Sequence, residues 1–280
     1  MIFTVRPRNG IFMVELDFKL KRVWNKYKKF FIGLVVVLIY YWALGGTDVS
    51  IFNFIDGIPH MINFILRMFP PDFTNIGKFL LKTIETLQMA IIGSTIGALV
   101  ALPLSFLAAR NVMPNKIIYN SVRGIFDIFR GINEIVWGLI FVSMVGLGPF
   151  PGVLALSVHV TGALGRYFSE AIETVDPEII KAIVSTGASK TQTVVRGIIP
   201  QVKPSFINYI LYYLENNFRS ATVLGLVGAG GIGMELLTSM RLFRSNEVLT
   251  ILIIMVSMVL IIDKCSAYIR KNVINIEVVG

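Results

Sequence analysis

Long apolar runs recur along this chain and leave it few ways to fold. They cover about residues 30–44, 83–108, 132–145, 153–164, 204–223 and 248–269. Hydrophobic residues make up 55% of the chain and charged residues 15%, whereas soluble domains carry roughly 25% charged residues. We therefore predict an all-α polytopic membrane protein with about six transmembrane helices. Because a bilayer needs roughly 20 apolar residues per helix, the short runs at 132–145 and 153–164 form either two spans or one re-entrant hairpin.

Positive charge is concentrated beside these runs. The formal net charge is +9, and the cations form three groups: Lys19, Lys21, Arg22, Lys26, Lys28 and Lys29; Arg110, Lys116, Arg123 and Arg130; Lys264, Arg270 and Lys271. Lys and Arg mark the cytoplasmic flanks of membrane spans, so we predict a multi-pass protein with both termini in the cytoplasm. No aromatic–basic motif accompanies the charge, which argues against nucleic-acid binding.

The predicted topology divides the chain into three regions. Residues 1–29 form a basic cytoplasmic tail with a short interfacial helix at about 12–24. Residues 30–74 hold the first transmembrane helix and an outer segment, and residues 75–271 hold the remaining transmembrane domain. The run at 30–44 is interpreted as a retained span, since no clean signal-peptide cleavage site follows it. Gly57-Ile58-Pro59 predicts a break before an amphipathic surface helix at 58–68.

A polar segment at 169–204 interrupts the apolar pattern and predicts two short helices. Asp176-Pro177-Glu178 is typical of a helix start, and four apolar residues then recur at helical spacing to give one apolar face: Ile179, Ile180, Ile183 and Val184. Gly187 predicts the end of this first helix, because glycine tolerates the left-handed cap conformation. Ser189 and Gln192 have capping-box spacing for a second helix, which we predict to end before Pro200. Between membrane spans, such a unit indicates a docking element.

Polar side chains in or beside the apolar runs are candidates for a translocation pathway or gate: Arg130, Asn133, Glu134, His159, Glu215, Asn216, Asn217 and Arg219. Glu215 and Arg219 are spaced i, i+4 and either pair to hold helices together, or border a polar pathway lined by the two asparagines. His159 has no acidic neighbour in the sequence and is either a packing residue or a substrate contact. Glu134 either caps or pairs with Arg130, or takes part in a gate.

Two arginines belong to a short outer helix predicted at 234–243. Arg241 and Arg244 either attract an anion to the outer mouth by their positive potential, or meet another protein.

Glycine patterns predict packing in two places. Gly93 and Gly97 form a small-xxx-small pair that lets another helix approach closely. Gly228-x-Gly230-x-x-Gly233 matches a dinucleotide fingerprint by letter, but it follows a membrane span where the fingerprint needs a strand. We therefore predict no nucleotide site, and an outer turn whose backbone is either flexible or closely packed.

The sequence contains no set of residues typical of an enzyme. Catalytic triads, paired catalytic carboxylates, metal-ligand spacing and the GxxxxGK[ST] phosphate loop do not occur in it, and Cys265 is the only cysteine. We therefore expect no cofactor and no metal in this chain, and any ATP hydrolysis must take place elsewhere.

The polar segment resembles the EAA loop of ABC importer permeases. With the loop's glycine placed on Gly187, Ala182 and Pro200 fall on pattern positions. The sequence departs from the pattern at Lys181, Ile183, Gly197 and Ile199, so the initial acidic residue is missing. The Gly–Pro spacing is retained.

Longer runs are similar to the phosphonate-type branch of these permeases. They lie at 145–156, 170–173, 186–190, 199–202 and 221–233, and read VGLGPFPGVLAL, EAIE, TGASK, IPQV and ATVLGLVGAGGIG. Shorter matches follow at 235–238 and 241–243. The resemblance covers roughly residues 75–270.

This resemblance implies a type I ABC importer permease in the bacterial cytoplasmic membrane, importing phosphonate or a related phosphorus oxyanion. The implied assembly is a homodimer with two cytoplasmic ATPase subunits, which hold ATP and Mg, and an extracytoplasmic substrate-binding protein. The loop would supply a cytoplasmic coupling helix, with these coupling residues: Asp176, Glu178, Lys181, Ala182, Gly187, Ala188, Ser189 and Pro200. The alternative is a secondary transporter or channel that needs no ATPase.

Overall fold

A computed structural model describes residues 9–47 and 51–278, and every regular element in those ranges is a helix. The chain divides into two compact units, Met1–Ile65 and Leu66–Gly280. The predicted all-α fold is confirmed.

The first unit holds α1 (Asn9–Gly46) and most of α2 (Ile51–Met68). The short helix predicted at about 12–24 is part of a longer one, because α1 contains no proline and continues into the predicted first span. The predicted break at residues 57–59 is wrong. Pro59 lies inside α2, where a proline removes only one backbone hydrogen bond from a helix that is amphipathic on both sides of it.

The second unit contains the remaining helices. They are α3 (Ile76–Leu107), α4 (Lys116–Gly131), α5 (Glu134–Val145), α6 (Pro149–Glu173), α7 (Pro177–Ser185), α8 (Lys190–Thr193), α9 (Ile199–Gly225), α10 (Gly231–Arg241) and α11 (Ser245–Val278). A π-helical turn, Val194–Ile198, joins α8 to α9.

Three described helices are long and apolar enough to cross a membrane: Tyr27–Gly46 within α1, α3, and Ser245–Lys271 within α11. The pair α4 and α5, bent by 87°, passes the same test as one broken span. α6 and α9, which cover two of the six predicted spans, do not pass this test. α6 has 16 of its 25 residues buried, so its polar residues are shielded from lipid by neighbouring helices.

α6 lies at the centre of this unit, and glycines set its distance from its neighbours. A Cβ on Gly93 would lie 2.7 Å from Leu156 Cβ, and one on Gly97 would lie 2.6 Å from Val160 Cγ1. These contacts confirm the predicted close approach of a second helix to α3. At the other end of α6, Phe168 stacks on Phe206 of α9 with ring centroids 4.1 Å apart.

The boundaries of α6 and α9 differ from the sequence predictions. α6 extends to Glu173, well beyond the predicted 153–164, and at about 37 Å it is long enough for a bilayer, although it is not among the helices that pass the test for length and apolar composition. The second short helix predicted in the polar segment does not end at Pro200, because the chain continues through Pro200 and Pro204 into α9. Pro200 lies in the first turn after the π-helical turn, where its missing N–H has little effect.

Candidate functional site

The coupling segment, which we define as residues 176–198, has the ends that the sequence predicts. The Asp176 carboxylate accepts a hydrogen bond from the Glu178 N–H at 2.8 Å. Gly187 follows α7 with φ of +79°, the left-handed conformation that ends helices and that glycine adopts most readily. Ser189 and Gln192 form the predicted capping box, with the Ser189 N–H 2.8 Å from Gln192 Oε1. Local hydrogen bonds and the glycine conformation therefore set the two ends of α7 and the turn after it.

One side of α7 packs against other parts of its own chain, and the remaining sides are exposed. No residue of α7 is buried. Ile180 packs against the main core cluster, and Ile183 Cδ1 lies 2.8 Å from where a Cβ on Gly197 would be. Ile179 and Val184 are 43% and 53% exposed. Of the predicted apolar face, Ile180 and Ile183 are thus directed inward, whereas Ile179 and Val184, on either side of them, remain partly exposed among the described residues.

The other predicted coupling residues are mostly exposed. Glu178, Lys181, Ala182, Ser189 and Pro200 are exposed, and Ala188 is half-buried. Ala182 follows Ile179 by three residues, so these two side chains are neighbours on α7 and form a small exposed apolar patch, whereas Val184 lies on another side of the helix. Such a patch, beside the charged Lys181, suits contact with another protein.

A polar cluster lies where α5, α6 and α9 meet. Glu134 Oε1 accepts a hydrogen bond from Ser220 Oγ at 2.7 Å, and Glu134 Oε2 lies 3.9 Å from His159 Nε2. His159 has no acidic neighbour in the sequence, but the fold brings Glu134 close to it from a distant segment. His159 Nδ1 is buried and makes no hydrogen bond. Sequence reasoning missed Ser220, which carries no pattern signal of its own.

Arg130 and Asn133 have local roles at the bend between α4 and α5. Arg130 Nη2 lies 2.8 Å from Asp127 Oδ1, so the predicted pair with Glu134 is wrong. The Asn133 side chain accepts a hydrogen bond from the Ile135 N–H at 2.9 Å and caps α5. The 87° bend explains the difference, since it separates the two helices on which Arg130 and Glu134 lie.

A second charged cluster joins α9 to α11. Arg219 Nη2 lies 3.2 Å from Glu215 Oε1, which confirms the predicted i, i+4 pair, and 2.9 Å from Asp263 Oδ1. Arg270 Nη2 lies 3.5 Å from Glu215 Oε2. The partners on α11 could not be predicted from spacing, because they are far along the chain.

The two neighbouring asparagines have different environments. Asn217 is 1% exposed and its Nδ2 donates to Ser94 Oγ at 2.7 Å, so it fastens α9 to the middle of α3. Asn216 is half-buried and shares a face of α9 with Tyr212, which is 50% exposed, and Arg219, whose side chain is 48% exposed. Spacings of four and three residues place these three on one stripe. We call Tyr212, Asn216 and Arg219 the open stripe of α9.

The predicted outer residues are arranged around α10. Arg241 is exposed, whereas Arg244 Nη1 lies 3.3 Å from Glu247 Oε1. Glu247 is buried and also accepts hydrogen bonds from Asn75 and Ser239. Arg244 therefore belongs to a contact that joins the starts of α3 and α11 to α10, whereas the side chain of Arg241 makes no hydrogen bond or ion pair with the described residues.

The glycine-rich turn that leads into α10 packs closely against α9 and α3. A Cβ on Gly233 would lie 1.9 Å from the Thr222 carbonyl oxygen, and the Gly231 N–H donates to Glu85 Oε1 at 2.9 Å. The next amide, of Ile232, donates to Thr86 Oγ1. These amides are therefore satisfied by α3, as expected of a closely packed turn.

Comparison with known proteins identifies the family. Residues 101–274 match the family of binding-protein-dependent transport system inner membrane components. The phosphite transport system permease protein PtxC of Stutzerimonas stutzeri is 37% identical over 249 residues, which cover 89% of this chain and 90% of that protein. The phosphate-import permease protein PhnE of Mycolicibacterium smegmatis is 36% identical over 200 residues, 71% of this chain and 37% of that protein.

One further relative and one solved structure are consistent with this family. An Escherichia coli K12 relative named for a cryptic phosphonate transport system is 41% identical over 122 residues, 44% of this chain and 100% of that protein. An inward-facing structure of the MetNI methionine ABC transporter matches with a TM-score of 0.64 at 23% identity, over 71% of this chain and 98% of that one, and so supports the fold. The chain belongs to the binding-protein-dependent inner membrane components and is an ABC importer permease of the phosphonate type.

Proposed function

We propose that this chain is the membrane subunit through which an ABC importer passes phosphonate or a related phosphorus oxyanion into the cell, driven by ATP hydrolysis on separate subunits. The exposed apolar patch of α7, held to the bundle through Ile183 and Gly197, is the observation that carries the proposal. A force applied to this patch reaches α9 directly, because the π-helical turn under Ile183 runs into α9. The names of the relatives support the substrate class.

We infer an assembly of two copies of this chain, two cytoplasmic ATPase subunits that hold ATP and Mg, and an extracytoplasmic binding protein. The cationic flanks favour an orientation with the coupling segment and both termini in the cytoplasm. The open stripe of α9 supports the second copy. Asn217 contacts Ser94 near the middle of α3, so the neighbouring Arg219 lies at mid-span, where charged groups avoid lipid and face a cavity or another chain.

The proposed pathway runs along the open stripe of α9. Arg219 and Asn216 offer hydrogen-bond donors to an oxyanion, and Tyr212 adds a hydroxyl. The Glu134–His159–Ser220 cluster forms one border of the stripe, since Ser220 directly follows Arg219 on α9. Arg219 is already paired with Glu215 and Asp263, so its attraction for an anion is partly neutralised and favours passage over tight binding.

Reconstitution tests the proposal. The chain, its candidate ATPase and its candidate binding protein are placed in proteoliposomes, and uptake of radiolabelled methylphosphonate, phosphite and phosphate is measured. We expect uptake that requires ATP and the binding protein, and that Ala182→Glu abolishes, because a carboxylate then lies within the apolar patch of α7. Gly124→Ala on α4, where a Cβ meets no atom within 4 Å, serves as the matched control. Uptake driven by an ion gradient without ATP would instead establish a secondary transporter.

A further inference from the structure

A basic cavity lies between the end of α3 and the start of α4. Its volume is about 450 Å³, and its lining residues are Arg110, Met113, Pro114, Lys116, Tyr119 and Asn120. The lining contains two cations, a phenol and an amide, and no carboxylate. A cavity with this lining suits an anion that accepts several hydrogen bonds.

Glu173, the acidic residue that contacts Arg110, already has hydrogen-bond and ion-pair partners. Glu173 Oε2 lies 2.8 Å from Arg123 Nη2, and Glu173 Oε1 accepts from the backbone N–H of Arg110. The Arg110 side chain donates through Nε to Tyr119 Oη at 2.7 Å, which leaves its terminal nitrogens available. Among the described residues, no carboxylate pairs with the side chain of Arg110 or Lys116. The cavity therefore keeps a net positive charge.

An exposed apolar side chain borders the cavity. Ile117, three residues before the lining residue Asn120 on α4, is 76% exposed. The Asn111 Nδ2 donates to the Ile172 carbonyl oxygen at 2.6 Å, so the cavity is level with the end of α6 that leads into the coupling segment. Cations at this level with apolar side chains beside them match the boundary between headgroups and acyl chains.

We propose that this cavity binds the phosphate group of an anionic phospholipid, with Lys116 and Arg110 contacting the phosphate and Ile117 lying along an acyl chain. Assignment to the cytoplasmic leaflet rests on the orientation proposed above, whereas binding itself does not. Free inorganic phosphate offers the same chemistry without acyl chains, and the exposed Ile117 favours the lipid.

Native mass spectrometry of the purified full-length chain tests this site. Detergent-solubilised protein is titrated with phosphatidylglycerol or phosphatidylcholine, and the bound lipid is counted. We expect phosphatidylglycerol to be retained preferentially and Lys116→Gln to weaken its binding about fivefold, the effect of about one interfacial cation. Lys264→Gln, which removes an exposed lysine from α11, should leave binding unchanged, and thermal unfolding verifies that both variants fold.

Three outcomes would overturn the proposal. They are equal retention of the two lipids, equal binding by wild type and Lys116→Gln, and displacement of phosphatidylglycerol by millimolar inorganic phosphate that itself depends on Lys116. The last would assign the cavity to free phosphate. None of these results depends on the ATPase or on transport. A failure of the lipid proposal would therefore not count against the proposed function, which the reconstitution experiment tests separately.

Discussion

The α3–α6 pair and the coupling segment are held in opposite ways. α3 and α6 meet through Gly93 and Gly97, where no Cβ could fit without movement, whereas α7 buries no residue. A close-packed interior transmits displacement with little deformation, and a lightly held surface helix is free to meet a partner. The difference suggests a stiff body moved by a small element attached at Ile183 and Gly197.

The largest effect on stability is expected at the close contact between α3 and α6. Gly97→Leu adds a side chain against Val160 and should destabilise the bundle by about 1–3 kcal/mol or more through overpacking. Ala182→Leu on exposed α7 should change stability by less than about 0.5 kcal/mol. Thermal unfolding in detergent measures both. Equal midpoints for the two variants would remove the distinction between stiff body and surface element.

The adjacent asparagines of α9 provide a matched pair inside the bundle. Asn217→Ala leaves Ser94 Oγ without its buried partner and should lower stability by about 1–3 kcal/mol. Asn216→Ala should leave the unfolding midpoint nearly unchanged but reduce uptake in proteoliposomes, because Asn216 lies on the open stripe. If Asn216→Ala imports at the wild-type rate, the stripe does not line the pathway.

A backbone change at the end of α7 separates coupling from folding. Gly187 has φ of +79°, so Gly187→Ala should cost about 1–2 kcal/mol locally and shift the end of α7. We expect uptake per ATP hydrolysed to fall while the bundle remains folded. Gly124→Ala is the control, since that glycine has an ordinary helical conformation and open space around it. Unchanged uptake per ATP in the Gly187 variant would contradict a coupling role for this turn.

The smallest effect is expected at an exposed ion pair. Asp127→Asn removes the i, i+3 partner of Arg130, and both side chains are nearly half exposed. Such pairs contribute about 0–1 kcal/mol, so stability should scarcely change. A loss above about 2 kcal/mol in thermal unfolding would show that the bend between α4 and α5 depends on this pair, contrary to the role assigned to Asn133.

The features that sequence predicts best here are local. The Asp176 cap, the Gly187 turn and the Ser189–Gln192 box depend on residues within four positions of one another, and the glycine pair of α3 needs only a helical register. Contacts between distant segments could not be predicted, because nothing in a single sequence links Glu134 to His159 or Arg219 to Asp263.

The helix boundaries failed for a related reason. Polar residues near the end of α6 suggested a loop, yet packing by neighbouring helices keeps Ser169 fully buried within the helix. Pro200 similarly suggested a helix end, and the π-helical turn before it allows the chain to continue into α9.

Site-specific crosslinking tests most directly whether α7 is the element that an ATPase moves. Ala182→Cys is made in a Cys265→Ser background, and the membranes of cells that co-express the candidate ATPase are treated with a short thiol crosslinker. We predict a crosslink to the ATPase from position 182, with uptake blocked once it forms. Phe243→Cys, at a residue that is 91% exposed beyond α10, should give no such crosslink. A crosslink from position 243 and none from position 182 would contradict the assignment of α7 as the coupling helix.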